Sequence, residues 1–286
     1  MQTLRTLPTV LLSGAIAALT AFPALAQIQY TSDGFRDGVT NGIVGNGAAP
    51  GFELFGAGHV QQGNRLIVGI SSHMPFGGFS STGVQGGSIT WGDLFLNFSP
   101  DDDFETALAA GKVYGVRFNP FNDSPVALGV YQVTGTASVA SVNQGFASVN
   151  AYINHVTAAG QTPYFGTTVM DSSFNYLNRT KSNNVIASGH LLSTDVEYIQ
   201  DLTTLGFASD FGFGDNLAQT GAYTHGLSFS LDSLPGGRFL AHFWAECIND
   251  GMAFRGELQA VPEPSMLLGF ASLGMLALAT GKRRPS

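Results

Sequence analysis

The stretch AYTHGLSFSL, residues 222–231, alternates with period two. Tyr223, His225, Leu227, Phe229 and Leu231 fall on one side of an extended chain, and Thr224, Gly226, Ser228 and Ser230 on the other. A helix would scatter those apolar side chains around its axis, so the spacing predicts a strand with one buried and one wetted face. RFLAHFWAE, residues 238–246, repeats the pattern after Pro235-Gly236-Gly237, and the two runs read as a hairpin around that turn. Further strands are predicted over 65–70, 90–98, 113–118, 126–136 and 184–192. The best helix candidate is 102–110, with acids in its first turn and Gly111 after its last alanine. The body is therefore expected to be all-β, a sandwich or jelly-roll-like domain of two sheets over 27–260.

Composition narrows the partners. Charged residues make up 11% of the 286-residue chain, against about 25% in ordinary soluble domains; Gly, Ser, Thr and Asn fill the difference. The formal net charge is −8, and four of the 12 bases (Arg5, Lys282, Arg283, Arg284) sit near the two ends, so the part between is more acidic still. Nucleic-acid binding needs clustered Lys and Arg to release counterions, and this body lacks them. Neutral polysaccharide and divalent cations suit it better. Cys247 is the single cysteine, so no intramolecular disulfide forms, and it is expected to be a small buried hydrophobe.

Residues 1–26 read as a secretory signal peptide. Arg5 precedes an apolar stretch over 10–20, and Ala24 and Ala26 offer small residues for signal peptidase before Gln27. Residues 261–286 hold three parts in order: Pro262-Glu263-Pro264, an apolar helix former over about 266–280, and Lys282-Arg283-Arg284. The prolines keep their segment extended and accessible. At about 1.5 Å per residue the apolar run reaches about 22 Å, short of the ~30 Å hydrocarbon core. It suits a temporary membrane anchor, with the basic cluster on the cytoplasmic side.

This ending resembles the PEP-CTERM sorting signal of Gram-negative, exopolysaccharide-producing bacteria. The resemblance implies that an exosortase recognises the Pro262-Glu263-Pro264 region, removes the anchor and delivers the body to the cell surface or extracellular matrix. Blocks between Phe52 and Asp250, among them FELFGAGHVQQGNRLIVGISSHMPFGG, ITWGDLFLNFS, VYGVRFNPFNDS and FWAECIND, also look like segments of exosortase-dependent surface proteins. That group is described by its sorting signal, so it supplies no catalytic residue.

No nucleophile elbow, HExxH run, Walker loop or dinucleotide fingerprint is present. The densest acidic run, Asp101-Asp102-Asp103 with Glu105, lacks the alternation and glycine of an EF-hand and reads first as a solvated helix start, with calcium as the cofactor it would take if any. Asp210, Asp215, Asn216, Asn249 and Asp250 read as turn residues. His225, His242 and Glu246 would meet only across the predicted hairpin, and residues four apart on a strand lie about 13 Å apart, too far to share one zinc. The expectation is a non-enzymatic, structural or adhesive surface protein associated with exopolysaccharide. The alternatives are a carbohydrate- or calcium-binding module and a secreted glycan hydrolase.

Overall fold

Alternation of apolar residues through most of the body produces strands, and the computed structural model describes residues 27–45, 51–211 and 221–259. The expected signal-peptide residues Ala24 and Ala26 lie outside the described residues, as do Pro262, Glu263, Pro264, Lys282, Arg283 and Arg284 and the helix over 266–280. Gln27 is described and exposed. Among the described residues no helix is long and apolar enough to cross a membrane.

The principal strands are β1 (Gln29–Ser32), β2 (Leu54–Gln62), β3 (Arg65–Ser72), β4 (Leu94–Asn97), β5 (Val113–Arg117) and β6 (Gly129–Ala137), followed by β7 (Val185–Ser193), β8 (Val196–Ile199), β9 (Tyr223–Ser230), β10 (Gly237–Trp244) and β11 (Gly251–Leu258). They form a five-stranded sheet in the order β1-β2-β3-β9-β8 and a six-stranded sheet in the order β7-β6-β5-β4-β10-β11. Neighbours in both sheets run antiparallel. Two helices, α1 (Phe104–Ala109) and α2 (Val149–Ala158), accompany them. The protein is all-β, as the alternation predicts.

Leu66, Val68, Ile70, Leu227 and Phe229 of the first sheet share one apolar cluster with Leu94, Leu96, Val116, Phe239, Phe243 and Phe254 of the second. Each such side chain contributes roughly 1.5–3 kcal/mol on burial. Cys247 belongs to this cluster, where burial pushes its thiol up and leaves it an inert small hydrophobe.

Two expectations need correction. β9 and β10 are not a hairpin: β9 pairs with β3 and β8, whereas β10 pairs with β4 and β11, so the link through Pro235 crosses from one sheet to the other. The second face of β9 is not wet either. Leu202 and Ile199 crowd Gly226, and Leu202, Phe207 and Phe211 pack with Val60 and Ile67 over that side of the sheet. On the six-stranded sheet, Leu240 and Trp244 of β10 face a further cluster with Phe95, Phe104, Tyr152 and Phe165. With both faces covered, strands such as β2 and β10 are buried almost throughout.

The predicted helix start is in place, with Asp103 as N-cap, its carboxylate accepting from the Thr106 amide at 2.9 Å. Helix α2 is a further element, outside the predicted ones. Ser148 caps it through the Ala151 amide, and Val149, Tyr152 and Val156 form its buried stripe.

Candidate metal centre

Three segments distant in sequence bring carboxylates to one buried point. Asp33 follows β1, its amide donating to the Phe55 carbonyl of β2 at 2.9 Å. Asp37 closes the loop that starts there, Glu53 immediately precedes β2, and Asp250 sits in the turn between β10 and β11. One carboxylate oxygen each from Asp33, Asp37 and Asp250 lies within 4.8 Å of the others. Asp37 and Asp250 are wholly buried, and Asp33 and Glu53 are 4% and 3% exposed.

Backbone amides hold these carboxylates from outside. Gly166 donates to Asp33 Oδ1 at 2.8 Å, and Tyr164 to Asp37 Oδ2 at 2.6 Å, an oxygen that also accepts from the Tyr152 hydroxyl at 3.1 Å. Leu54 and Gly251 donate to Asp250 Oδ2 and Oδ1, each at 2.7 Å. Arg36 and Gly38 donate to the two oxygens of Glu53. The remaining oxygens of the first two residues, Asp33 Oδ2 and Asp37 Oδ1, have no hydrogen-bond partner among the described residues.

Glycines allow this approach. A Cβ at Gly38 would lie 2.7 Å from the Glu53 backbone, and one at Gly251 would lie 2.3 Å from the Trp244 indole. Gly166, at φ +65°, leaves 1.9 Å between such a Cβ and the Ala253 carbonyl oxygen, so the short ribbon of 164–169 lies flat against β11.

Burial raises the proton affinity of all four acids. Asp37 is brought to about 7 and Glu53 to about 8, and Asp33 and Asp250 rise well above the usual carboxylate range. For Asp33, Glu53 and Asp250 the neighbouring charge of Asp37 adds to burial. Among the described residues, the ion pairs are made by Arg65, Lys181 and Arg238, and none reaches this cluster.

A second pair of buried acids has every oxygen occupied, as Asp250 and Glu53 do and Asp33 and Asp37 do not. Asp93 accepts from Asn122 Nδ2 at 2.8 Å and from the Ile186 amide at 2.7 Å, and Glu246 accepts from the Thr90 amide and hydroxyl and from the Asp123 amide. These acids clamp loops to the six-stranded sheet. Burial still raises them, to about 6 for Asp93 and about 7 for Glu246.

The acidic run singled out in the sequence has a surface role. Asp101, Asp102 and Asp103 are exposed; Asp101 pairs with Arg238, Asp103 caps α1, and Glu105 pairs with Lys181 and accepts from Asn178. Asp250, read as a turn residue, is in a turn and also in the buried cluster. Asn249 beside it ties the turn to the loop after Asp37 through the Val39 carbonyl at 2.8 Å. Asp215 and Asn216 lie outside the described residues. His225 and His242 occupy different sheets, so they do not meet: His225 contacts the Met74 carbonyl, and His242 Nδ1 the Tyr176 hydroxyl at 3.0 Å.

Next to the cluster, the ribbon of 164–169 and the segment 173–176 wall a groove of about 320 Å³ over β10 and β11. Phe165, Phe174, Tyr176 and Phe254 line it together with Thr168, Asn175 and Arg255. The chain matches no family model, no curated protein and no solved structure.

Proposed function

We propose that this chain is an exported cell-surface or extracellular-matrix protein, processed by an exosortase, whose β-sandwich body serves a structural or adhesive role in association with exopolysaccharide and catalyses no reaction. The observation that carries the reading is the ordered segment Pro262-Glu263-Pro264, apolar run, Lys282-Arg283-Arg284, together with the secretory character of residues 1–26. The body fits that life: two sheets share a core that needs no disulfide, and the chain is poor in charge. Signal peptidase, exosortase and, transiently, the inner membrane are then its processing partners. Replacing Pro262, Glu263 and Pro264 by alanine should leave export intact and block release, so that anchored protein accumulates in the membrane fraction of an exosortase-containing host. If that variant is shortened and released like the wild type, as judged by fractionation and intact mass, recognition does not run through this motif.

A second reading, sugar binding, is favoured by the groove beside β11, where exposed Asn175 and Arg255 offer hydrogen bonds above an apolar base of Phe165, Phe174 and Phe254. Asn175→Ala combined with Arg255→Ala should weaken retention on purified exopolysaccharide at least about tenfold, a loss of about 1.4 kcal/mol. Equal retention of both proteins would remove the groove from consideration.

A further inference from the structure

The cluster of Asp33, Asp37 and Asp250 is more than a concentration of acid, because two of its buried oxygens accept no hydrogen bond from the described residues. Asp33 Oδ2 and Asp37 Oδ1 lack any hydrogen-bond partner although their residues are 4% and 0% exposed. Buried polar atoms in native proteins are nearly always satisfied, so each exception needs a physical cause. The outer oxygens of the same carboxylates are held by Gly166, Tyr164 and Tyr152, the arrangement by which outer-shell donors orient metal ligands while leaving the inner oxygen free. Asp93 and Glu246 are the internal contrast to Asp33 and Asp37: equally buried, they use both oxygens on protein donors. Asp250 does too, through Leu54 and Gly251, and would offer a cation a second lone pair on an oxygen already held by one amide.

We infer that Asp33, Asp37 and Asp250, with the charge of Glu53 behind them, bind one divalent cation of the calcium class, which staples the loop after β1 to the β10–β11 turn. The donor set decides the class. It is oxygen only, with no thiolate or imidazole, which suits hard cations over zinc or copper. Calcium accepts irregular shells of six to eight oxygens at about 2.3–2.6 Å, so backbone carbonyls and water complete what three carboxylates begin. Magnesium demands near-octahedral geometry and gives up its water reluctantly, and a buried group of carboxylates already fixed by amides offers it little adjustment. A cation also resolves the electrostatics, since four buried acids with no basic partner among the described residues repel one another at short range.

The test uses the full-length chain purified in detergent and stripped with a chelator, with calcium and terbium as probes. The Tyr152 hydroxyl donates to Asp37 Oδ2, which puts a sensitising ring against the site. Terbium should therefore emit under excitation of the aromatic residues, saturate at one ion per chain and be displaced by calcium. Calcium at a hundredfold excess over its Kd should raise the melting temperature by about 5 °C or more, and magnesium should act only at much higher concentration. Asp37→Asn keeps the shape and the outer hydrogen bond and should raise the calcium Kd at least about tenfold; Asp101→Asn, on the exposed run, should leave it unchanged. Should Asp37→Asn fail to fold, Asp33→Glu and the stripped wild type give the same reading. A stripped wild type that melts at one temperature with and without calcium, and shows no stoichiometric terbium signal, overturns the inference, as does an Asp37→Asn chain that binds calcium as tightly as wild type.

Discussion

His242 is a histidine whose surroundings leave no room for charge. It is wholly buried, stacked on Phe95, edged by Phe104 and Tyr176 and tilted against Phe165, with Nε2 unpartnered among the described residues, and burial lowers its proton affinity to about 3. His59, stacked on Phe254, is lowered to about 4 by the same cause. The unfolded chain takes up these protons below about 6.5 while the folded one refuses them, so this contribution to stability is present above 6.5 and is lost as pH falls toward 3. Asp93 and Glu246 act with the opposite sign. Their raised values let the folded chain hold protons that the unfolded chain gives up, so they favour the fold as pH falls through 6 or 7. His242→Phe isolates one of these effects. Compared with wild type, its stability should fall less between pH 6.5 and 4, by up to about 1.4 kcal/mol per pH unit. The lost Tyr176 hydrogen bond adds a pH-independent cost of about 1 kcal/mol. Denaturant titrations across that range measure the difference, and parallel pH profiles would show that His242 protonates without unfolding. The buried acids, too, carry a signal at this scale. The chain contains Asp-Gly three times, at 33–34, 37–38 and 250–251, and the three aspartates are the members of the cluster. Period and motif spacing search within one segment, whereas Asp33 and Asp37 share the loop after β1 and Asp250 lies in the β10–β11 turn, so their meeting is visible only in the fold. The run Asp101-Asp102-Asp103 attracted notice because it is contiguous, which is also why it stays solvated.

At the scale of elements, the ribbon of 164–169 is small yet decisive for the site, because its Tyr164 and Gly166 amides fix Asp37 and Asp33. Gly166→Ala must place a Cβ 1.9 Å from the Ala253 carbonyl oxygen at φ +65°, whereas Gly160→Ala meets nothing within 4 Å at φ +78°. Both substitutions carry the left-handed cost of about 1–2 kcal/mol. Gly166→Ala should exceed Gly160→Ala by a clear margin in urea unfolding, since the ribbon has to lift from β11; equal costs would mean that the ribbon is not docked there. Strand positions were legible because alternation is local: 65–70, 113–118, 126–136 and 184–192 overlap β3, β5, β6 and β7. Pairing was not, since a six-residue link can turn back within a sheet or step across to the facing one, and Pro235-Gly236-Gly237 fits both. Helix α2 is not legible in the sequence because Val149, Ile153, Val156 and Thr157 are β-branched and weak helix formers. Its packing through Tyr152 and Val156 outweighs that preference.

For the whole molecule, the paucity of charge follows from how much is covered. Both faces of each large sheet carry apolar clusters, so side chains that a simple two-layer body would show to water are enclosed. The step from β9 to β10 across the sheets has a consequence in time. The chain visits the five-stranded sheet with β1–β3, the six-stranded sheet with β4–β7, the first again with β8–β9 and the second again with β10–β11. Neither sheet is complete until the final strands have been made, and such long-range pairing is slow. In a chain threaded outward from its N-terminus, β1–β3 arrive first and wait for β9, while β4 waits for β10. On the proposed export route, the body would pass through the translocation channel as an unfinished polymer and close only once residue 258 had emerged.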